Sequence, residues 1–427
     1  MVFSPASTLD RTPLAVIKFR MKRAVITGYG IVSSIGNNVS EVTASLKAGR
    51  SGIIHDPDFA ERGFRSHVRG KLDIDLKENV PRKALRFMGD SSAYAFIAMQ
   101  EAIDMSGLSE DQVRSDRTGV VAGIGGSSTK DLSESYFTFQ EKGYRRVGPY
   151  YVPRTMASGP AANLATAYKV RGVSYSISSA CASSANCIGH ASELIQLGKA
   201  DVVFAGGGEE IFWTGTMLFD AMGALCGKFN DQPERASRPY DANRAGFVAS
   251  GGGGVVVVES LEHAQARGAP IHAELTGYAS TSDGADMVAP SGEGASRCMS
   301  LALASAGNPT IDYVNTHGTS TPVGDITELN AMRDAFGADS VPPYASTKSM
   351  TGHALGAAGV HEAIYALEMM RHKFIAPSIN VDEPDPGVAG TPLVTERRDN
   401  TELSHCMSNS FGFGGTNASL IFSKFDG

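Results

Sequence analysis

The chain has 427 residues, 42% hydrophobic and 19% charged, and its 38 basic and 45 acidic side chains leave a formal charge of −7. That is material for one large core or two medium ones, and it excludes a disordered chain. A mildly acidic balance without a long Lys/Arg run also argues against a general nucleic-acid binder.

Residues 1–20 carry Asp10, Arg11, Lys18 and Arg20 and no continuous apolar stretch. They read as a flexible extension, or a start codon placed too early, and not as a secretory signal. From Met21 short apolar runs alternate with helical patterns. Ala24–Val32 reads as a buried strand, and Ser40–Gly49 as a helix with a serine N-cap and a glycine stop. Ser91–Gly107 is a second helix and Thr118–Gly126 a second strand. Val173–Ser178, Ala200–Gly207 and Gly253–Ser260 continue the series. The pattern restarts at Ile271–Gly284. A helix around Gly294–Ala306, a strand at Ile311–Gly318, helices at Thr327–Gly337 and His361–Lys373, and a closing strand pair around Cys406–Gly415 and Asn417–Phe425 follow. This rhythm predicts an α/β protein with largely parallel, doubly covered sheets. Its restart hints at duplication, with halves 21–270 and 271–427 sharing one interface.

No apolar stretch reaches the ~18 residues of a membrane span. The cysteines, Cys181, Cys187, Cys226, Cys298 and Cys406, are few, odd in number and dispersed. Neither a disulfide framework nor a CxxC metal site is expected, and a reduced, cytoplasmic protein is the economical reading.

Four segments carry chemistry. In SISSACASSANCIGH, Cys181 stands where a strand gives way to a helix rich in small residues. A thiol there faces the positive end of the helix dipole, and roughly 1–2 kcal/mol of thiolate stabilisation would bring its pKa near neutrality. In VNTHGTSTPVGDITE, His317 follows a strand and therefore sits at the rim where α/β active sites gather. Thr319 and Thr321 offer hydroxyls beside it, and Asp325 and Glu328 open the next helix. STKSMTGHALGAAG places Lys348 and His353 in a glycine-rich loop entering a helix. NSFGFGGTNA alternates glycine with phenylalanine, so backbone N–H groups can approach a ligand while a ring gates it. Cys181, His317 and His353 form a set whose adjacency is spatial and not sequential. Other motifs fail on spacing. Gly28–Gly36 lacks GxGxxG, Gly251–Gly254 lacks the Lys-Ser/Thr of a P-loop, and His317, Asp325 and Glu328 do not make HExxH, so no metal is expected.

Taken in order, SSACASSANCIG, NTHGTSTPVGD, TKSMTGHALGAAG and NSFGFGGTNA resemble the β-ketoacyl-acyl carrier protein synthases of the elongating type, closest to the bacterial class I enzymes of the thiolase-like superfamily. The resemblance runs from Met21 to the C-terminus. It implies a thiolase-like fold, duplicated halves forming a five-layer αβαβα sandwich, and a homodimer. Cys181 would take the acyl chain from acyl carrier protein. His317 and His353 would donate Nε2–H groups to the malonyl thioester oxygen as CO₂ leaves, and the chains would join by Claisen condensation. The backbone N–H groups of Cys181 and Phe413 would form the oxyanion hole, with Phe413 also the gate between acyl and malonyl sides. Lys348 would act electrostatically and pair with Glu328, with Asp325 in support. Thr319 and Thr321 would bind the phosphopantetheine amides, and Gly126 would mark the end of the acyl pocket. Arg82, Lys83, Arg86, Lys142 and Arg145 would lie near the tunnel mouth where the acidic carrier protein docks. No cofactor is implied, because 4′-phosphopantetheine arrives on the carrier protein; neither nucleic acid nor membrane is an expected partner. A class II elongating synthase and a CoA-dependent thiolase-type enzyme are the alternative readings, although the paired histidines speak against the latter.

Overall fold

Apolar runs such as Val255–Val258, whose side chains on both faces are fully buried, can exist only in strands covered twice. Burying each such side chain contributes about 1.5–3 kcal/mol. The computed structural model describes residues 21–427, so the extension expected at 1–20 lies outside the described residues. Ten strands form the main sheet: β1 (Ala24–Val32), β2 (Thr118–Gly123), β3 (Ser174–Tyr175), β4 (Val202–Glu209), β5 (Gly252–Ser260), β6 (Ala273–Ser282), β7 (Tyr313–Asn315), β8 (Tyr344–Ala345), β9 (His405–Gly412) and β10 (Thr416–Ser423). Their order is β8-β7-β9-β10-β6-β1-β5-β4-β2-β3. Counted outward from the β1–β6 seam, both halves read first, fifth, fourth, second, third strand, the signature of a duplicated unit. The seam itself is short, pairing Val25 with Glu274 and Ile26 with Ala273.

The expected largely parallel sheet is mixed instead. β4–β2, β2–β3, β9–β7 and β7–β8 are parallel. β1–β5, β5–β4, β6–β10 and β10–β9 are antiparallel. The last strand of each half returns between earlier ones. β10 does so through a tight turn from β9, with Gly412 opposite Thr416, which needs no helical crossover.

Six helices complete five layers: α1 (Asp90–Ser106), α2 (Gly159–Tyr168), α3 (Ser183–Gln196), α4 (Glu293–Ser305), α5 (Gly324–Phe336) and α6 (Ala358–His372). α1 and α2 cover the outer face of the first half, and α4 covers that of the second with α5 packed on it. α3 and α6 lie between the halves and touch strands of both. Their burial is nearly complete, from Ser183 to Ile195 along one face and more, and from Ala358 to Met369 without interruption. Two local expectations shift. The helix read at Ser40–Gly49 runs Val39–Ala48, and its N-cap is Asn38, whose side chain accepts the Glu41 N–H. The strands expected at Val173–Ser178 and Ile311–Gly318 shorten to β3 and β7, because the backbone beyond them turns away to build the site. Among the described residues no helix is long and apolar enough to cross a membrane.

The central helices meet closely. A Cβ on Gly359 would lie 2.7 Å from both the backbone N and the Cβ of Ala185, and Ser184 Oγ accepts the Val360 N–H at 2.9 Å. Gly359→Val should therefore cost about 1–3 kcal/mol by overpacking. Chemical denaturation checks this: the midpoint falls, whereas an unchanged midpoint would mean that α3 and α6 separate freely.

Candidate active site

Cys181 occupies a sharp turn between β3 and α3. Ala180 before it takes φ +49°, a left-handed conformation that costs a residue with a Cβ about 1–2 kcal/mol. Local hydrogen bonds hold it there. Ser183 Oγ donates to Ala180 O at 2.7 Å and accepts from Ser179 N–H at 2.8 Å, and Asn186 Nδ2 donates to Ser179 Oγ at 2.7 Å. The end of β9 presses on this turn from the other half. A Cβ at Gly412 would come within 2.9 Å of Cys181 N and Ser179 O, so only glycine permits the approach. That approach brings the Phe413 backbone N–H near the Cys181 sulfur, where it favours the thiolate.

The helix begins at Ser183 with Ala182 as N-cap, so Cys181 stands one residue outside it and not at its cap. The expected near-neutral thiol is not found. Burial pushes the Cys181 thiol up to about 12, and nearby Glu209 adds to the rise. The Lys348 charge and the Phe413 N–H pull the other way without prevailing. Desolvation of the anion outweighs what one helix terminus supplies.

His317 leaves the end of β7, and Glu328 on α5 folds back beneath it. The two carboxylate oxygens accept the N–H groups of His317 and Gly318, each at 2.8 Å, while Asn409 Nδ2 lies 3.3 Å from one of them. Burial pushes Glu328 up to about 7 against these bonds. Asp325 accepts the N–H groups of Ser320, Thr321 and Tyr240 and thereby shapes the loop bearing Thr319 and Thr321, whose hydroxyl oxygens are 3.2 Å apart. His353 is pinned to the first half: its N–H donates to Val248 O at 2.8 Å, and its carbonyl accepts from Ser250 N–H at 2.9 Å. The two imidazoles stand edge to face with centres 5.2 Å apart, and Phe247 packs edge-on against His353.

The Lys348–Glu328 pairing expected from the sequence is incorrect. Lys348, 2% exposed, makes an ion pair with Glu362 on α6. Glu328 has already committed its oxygens to the His317 turn, and the interior face of α6 brings Glu362 to the ammonium instead. Sequence reading missed Glu362, though a charged residue inside the apolar run of α6 was its available signal. Burial pushes Glu362 up to about 7 despite Lys348. Burial also holds both histidines well below the usual imidazole range, and the Lys348 charge lowers them further. They are neutral at physiological pH. Their buried Nδ1 atoms have no hydrogen-bond partner within the protein.

The potential ligand atoms of Cys181, His317 and His353 all lie within 4.8 Å of one another. Two cavities meet at this cluster. One is lined by His317, His353, Thr319, Thr321 and Glu328, the other by Gly125, Gly126, Ile211, Phe212 and Leu218. Cys181, Phe219, Leu355 and Phe413 border both. Gly126 has open space where a Cβ would stand. Sequence reading missed Phe219 and Phe247, which lie outside the glycine-rich motifs, and Leu355, which stands inside the His353 motif as an ordinary apolar residue. Arg82, Lys83, Arg86, Lys142 and Arg145 are exposed and line neither cavity. The first three belong to the short turn around Arg82–Leu85, where Arg86 lies over the Tyr150 ring; Lys142 ends the helix Thr129–Lys142 and Arg145 follows it.

A thiol pushed upward should alkylate faster with every step of pH above 7 and through its ordinary pKa of about 8.5. Iodoacetamide labelling of Cys181 followed by mass spectrometry tests this, and a rate that levels off at neutrality would contradict it.

Two family models match the chain: β-ketoacyl synthase, N-terminal domain, over residues 21–264, and β-ketoacyl synthase, C-terminal domain, over 272–382. The chain is 60% identical over 408 residues to 3-oxoacyl-[acyl-carrier-protein] synthase 1 of Haemophilus influenzae, covering 95% of this chain and 100% of that protein. The crystal structure of a β-ketoacyl synthase from Burkholderia phymatum is similar with a TM-score of 0.89 at 37% identity, covering 95% of this chain and 100% of the other. A ketosynthase solved in complex with its type II PKS acyl-carrier protein is similar with a TM-score of 0.86 at 29% identity over the same shares.

Proposed function

This chain belongs to the β-ketoacyl synthase family as a class I condensing enzyme of fatty acid elongation, and we propose that its acyl chain is carried on Cys181 while His317 and His353 activate the malonyl unit. The observation that supports this division of labour most is the convergence of one thiol and two neutral imidazoles where two cavities meet.

In the first half-reaction the Cys181 sulfur attacks the thioester carbonyl of an acylated carrier protein. Its proton passes to a neutral imidazole and on to the departing pantetheine sulfur, so one thioester forms as another breaks. Delaying ionisation until the substrate has displaced water suits a thiol that burial keeps protonated. The acyl chain then occupies the cavity past Gly126, with Phe413 between it and the entering malonyl unit. In the second half-reaction the malonyl C–C bond to the carboxylate breaks, CO₂ leaves, and the electron pair moves onto the thioester oxygen. Two imidazole N–H donors aimed at that oxygen stabilise the enolate, each accounting for about 2.7–4 kcal/mol of barrier. Neutral rings can donate without first losing a proton. The enolate carbon attacks the Cys181 thioester, and the N–H groups of Cys181 and Phe413 hold the tetrahedral oxyanion until Cys181 departs. Holding both partners at one junction makes carbon–carbon bond formation effectively unimolecular. We read Lys348 as an electrostatic residue that favours each developing anion. The same charge opposes a resident cation among Cys181, His317 and His353, and the chemistry requires no further cofactor.

Thr319 and Thr321 are read as contacts for the pantetheine amides, with acyl carrier protein as the partner, as in the names of the relatives above. The exposed Arg82, Lys83, Arg86, Lys142 and Arg145 suit its acidic surface. A second copy of the chain is the other proposed partner. β3 is an exposed strand at the sheet edge, and Leu132, Phe137, Phe139 and Leu218 present apolar surface. Five free thiols suit a reducing cytoplasm.

Cys181→Ala should abolish condensation yet leave malonyl decarboxylation measurable, whereas His317→Ala and His353→Ala should each slow decarboxylation by about 10²–10³. Product analysis by mass spectrometry and CO₂ release separate the two steps; condensation surviving in Cys181→Ala would end this reading. Lys83→Glu with Arg86→Glu should raise KM for carrier-protein substrates at low salt, with the difference shrinking as salt screens it. An unchanged KM at low ionic strength would remove these two residues from the docking surface.

A further inference from the structure

The loop that bears Thr319 and Thr321 is held from the opposite half of the chain. Ser320, between the two threonines, takes φ +72°, a left-handed conformation that disfavours any residue with a Cβ. Such a turn persists only where its surroundings fix it. The segment 238–246 supplies that fixation. Gly246 N–H donates to Ser320 O at 3.1 Å, and Arg238 N–H donates to Ser320 Oγ at 3.0 Å. Arg244, 6% exposed, reaches further along the same loop. Its Nε donates to Thr321 O at 2.8 Å and its Nη2 to Pro322 O at 2.6 Å. Its Nη1 donates to Asp241 O at 2.9 Å and to Asp385 at 2.7 Å. Asp325, which accepts the Ser320 and Thr321 N–H groups, lies 3.6 Å from the guanidinium.

One rigid fork thus holds two successive carbonyls while a carboxylate in contact with it holds the N–H groups of the same turn. A lysine ammonium, a point charge on a flexible stem, cannot span that set. We propose that Arg244 is a positioning residue for the thioester arm: it aims the Thr319 and Thr321 hydroxyls into the cavity that also holds His317 and His353. The inference rests on the reading of those threonines as contacts for the arm's amides. Arg244 itself lines neither cavity, so its influence must pass through the loop.

The test compares malonyl-carrier protein with a malonyl thioester of a simple alkyl thiol, which has no amides for the threonines to bind. Arg244→Lys retains the buried charge beside Asp325 and Asp385. It should raise KM for the carrier substrate by about tenfold, with kcat changed by less than about twofold, and leave KM for the alkyl thioester as it was. In a Thr319→Val/Thr321→Val background the same substitution should add nothing further. An unchanged carrier KM in Arg244→Lys, equal losses on both thioesters, or full additivity with the threonine changes would each overturn the proposal. If the threonine double variant itself keeps the carrier KM, the reading of the threonines fails. If it raises KM and Arg244→Lys does not, only the role of Arg244 fails. Should Arg244→Lys not fold, Asp385→Asn, which removes one anchor of the fork, takes its place: a raised carrier KM with the alkyl thioester unaffected supports the proposal, and an unchanged carrier KM overturns it.

Discussion

An ammonium group withdrawn from water demands a carboxylate and determines the electrostatics of everything around it. Lys348 is such a group, and Glu362 on the central helix α6 is its partner. Removing either side would strand the other in the interior, the situation in which buried pairs are most sensitive. With the pair in place, a positive potential reaches Cys181, His317 and His353 together. It reinforces the desolvation that keeps both imidazoles neutral, and it offsets part of the desolvation that keeps the thiol protonated. A site where the Lys348 charge favours negative charge and two neutral imidazoles keep their N–H donors is suited to anions that exist only during the reaction.

The geometry depends on parts that neither half possesses alone. The first half supplies Cys181 on its strained turn, and the second supplies His317, Lys348, His353 and Phe413. The crossings between them are backbone contacts: Gly412 against Cys181, His353 against Val248 and Ser250, Ser320 against Gly246. Backbone contacts do not rearrange as side-chain rotamers do, so the triad is set by the docking of two halves around α3 and α6. The two cavities are a product of the same docking. Cys181 and Phe413 line both of them.

Much of this is legible in the amino-acid order. Alternating apolar runs locate most strands, and the restart at Ile271 announces the duplicated strand order. The resemblance carried by four short motifs names the triad and Phe413. The misreadings share a cause. Parallel strands are expected because β5 and β10 are as apolar as parallel strands are, and only the pairing of neighbours shows that they run the other way. Glu328 enters as the partner of Lys348 through the family resemblance, whereas Glu362, 14 residues from Lys348 along the chain, reaches the ammonium from the buried face of α6. A neutral-pH thiolate is expected from the helix dipole alone, since desolvation has no mark in a sequence.

Sequence by itself determined the kinds of group available and their local settings: a thiol among small residues before a helix, histidines in glycine-rich turns, glycines where backbones meet. Those are properties of neighbours along the chain, governed by sterics and hydrogen bonding within a few residues. Tertiary structure alone decided which carboxylate answers Lys348, how far burial moves each proton, and that Arg244 stands behind the Thr319–Thr321 loop. Such outcomes depend on distance through space and on the exclusion of water, and both are set only when the two halves close on each other.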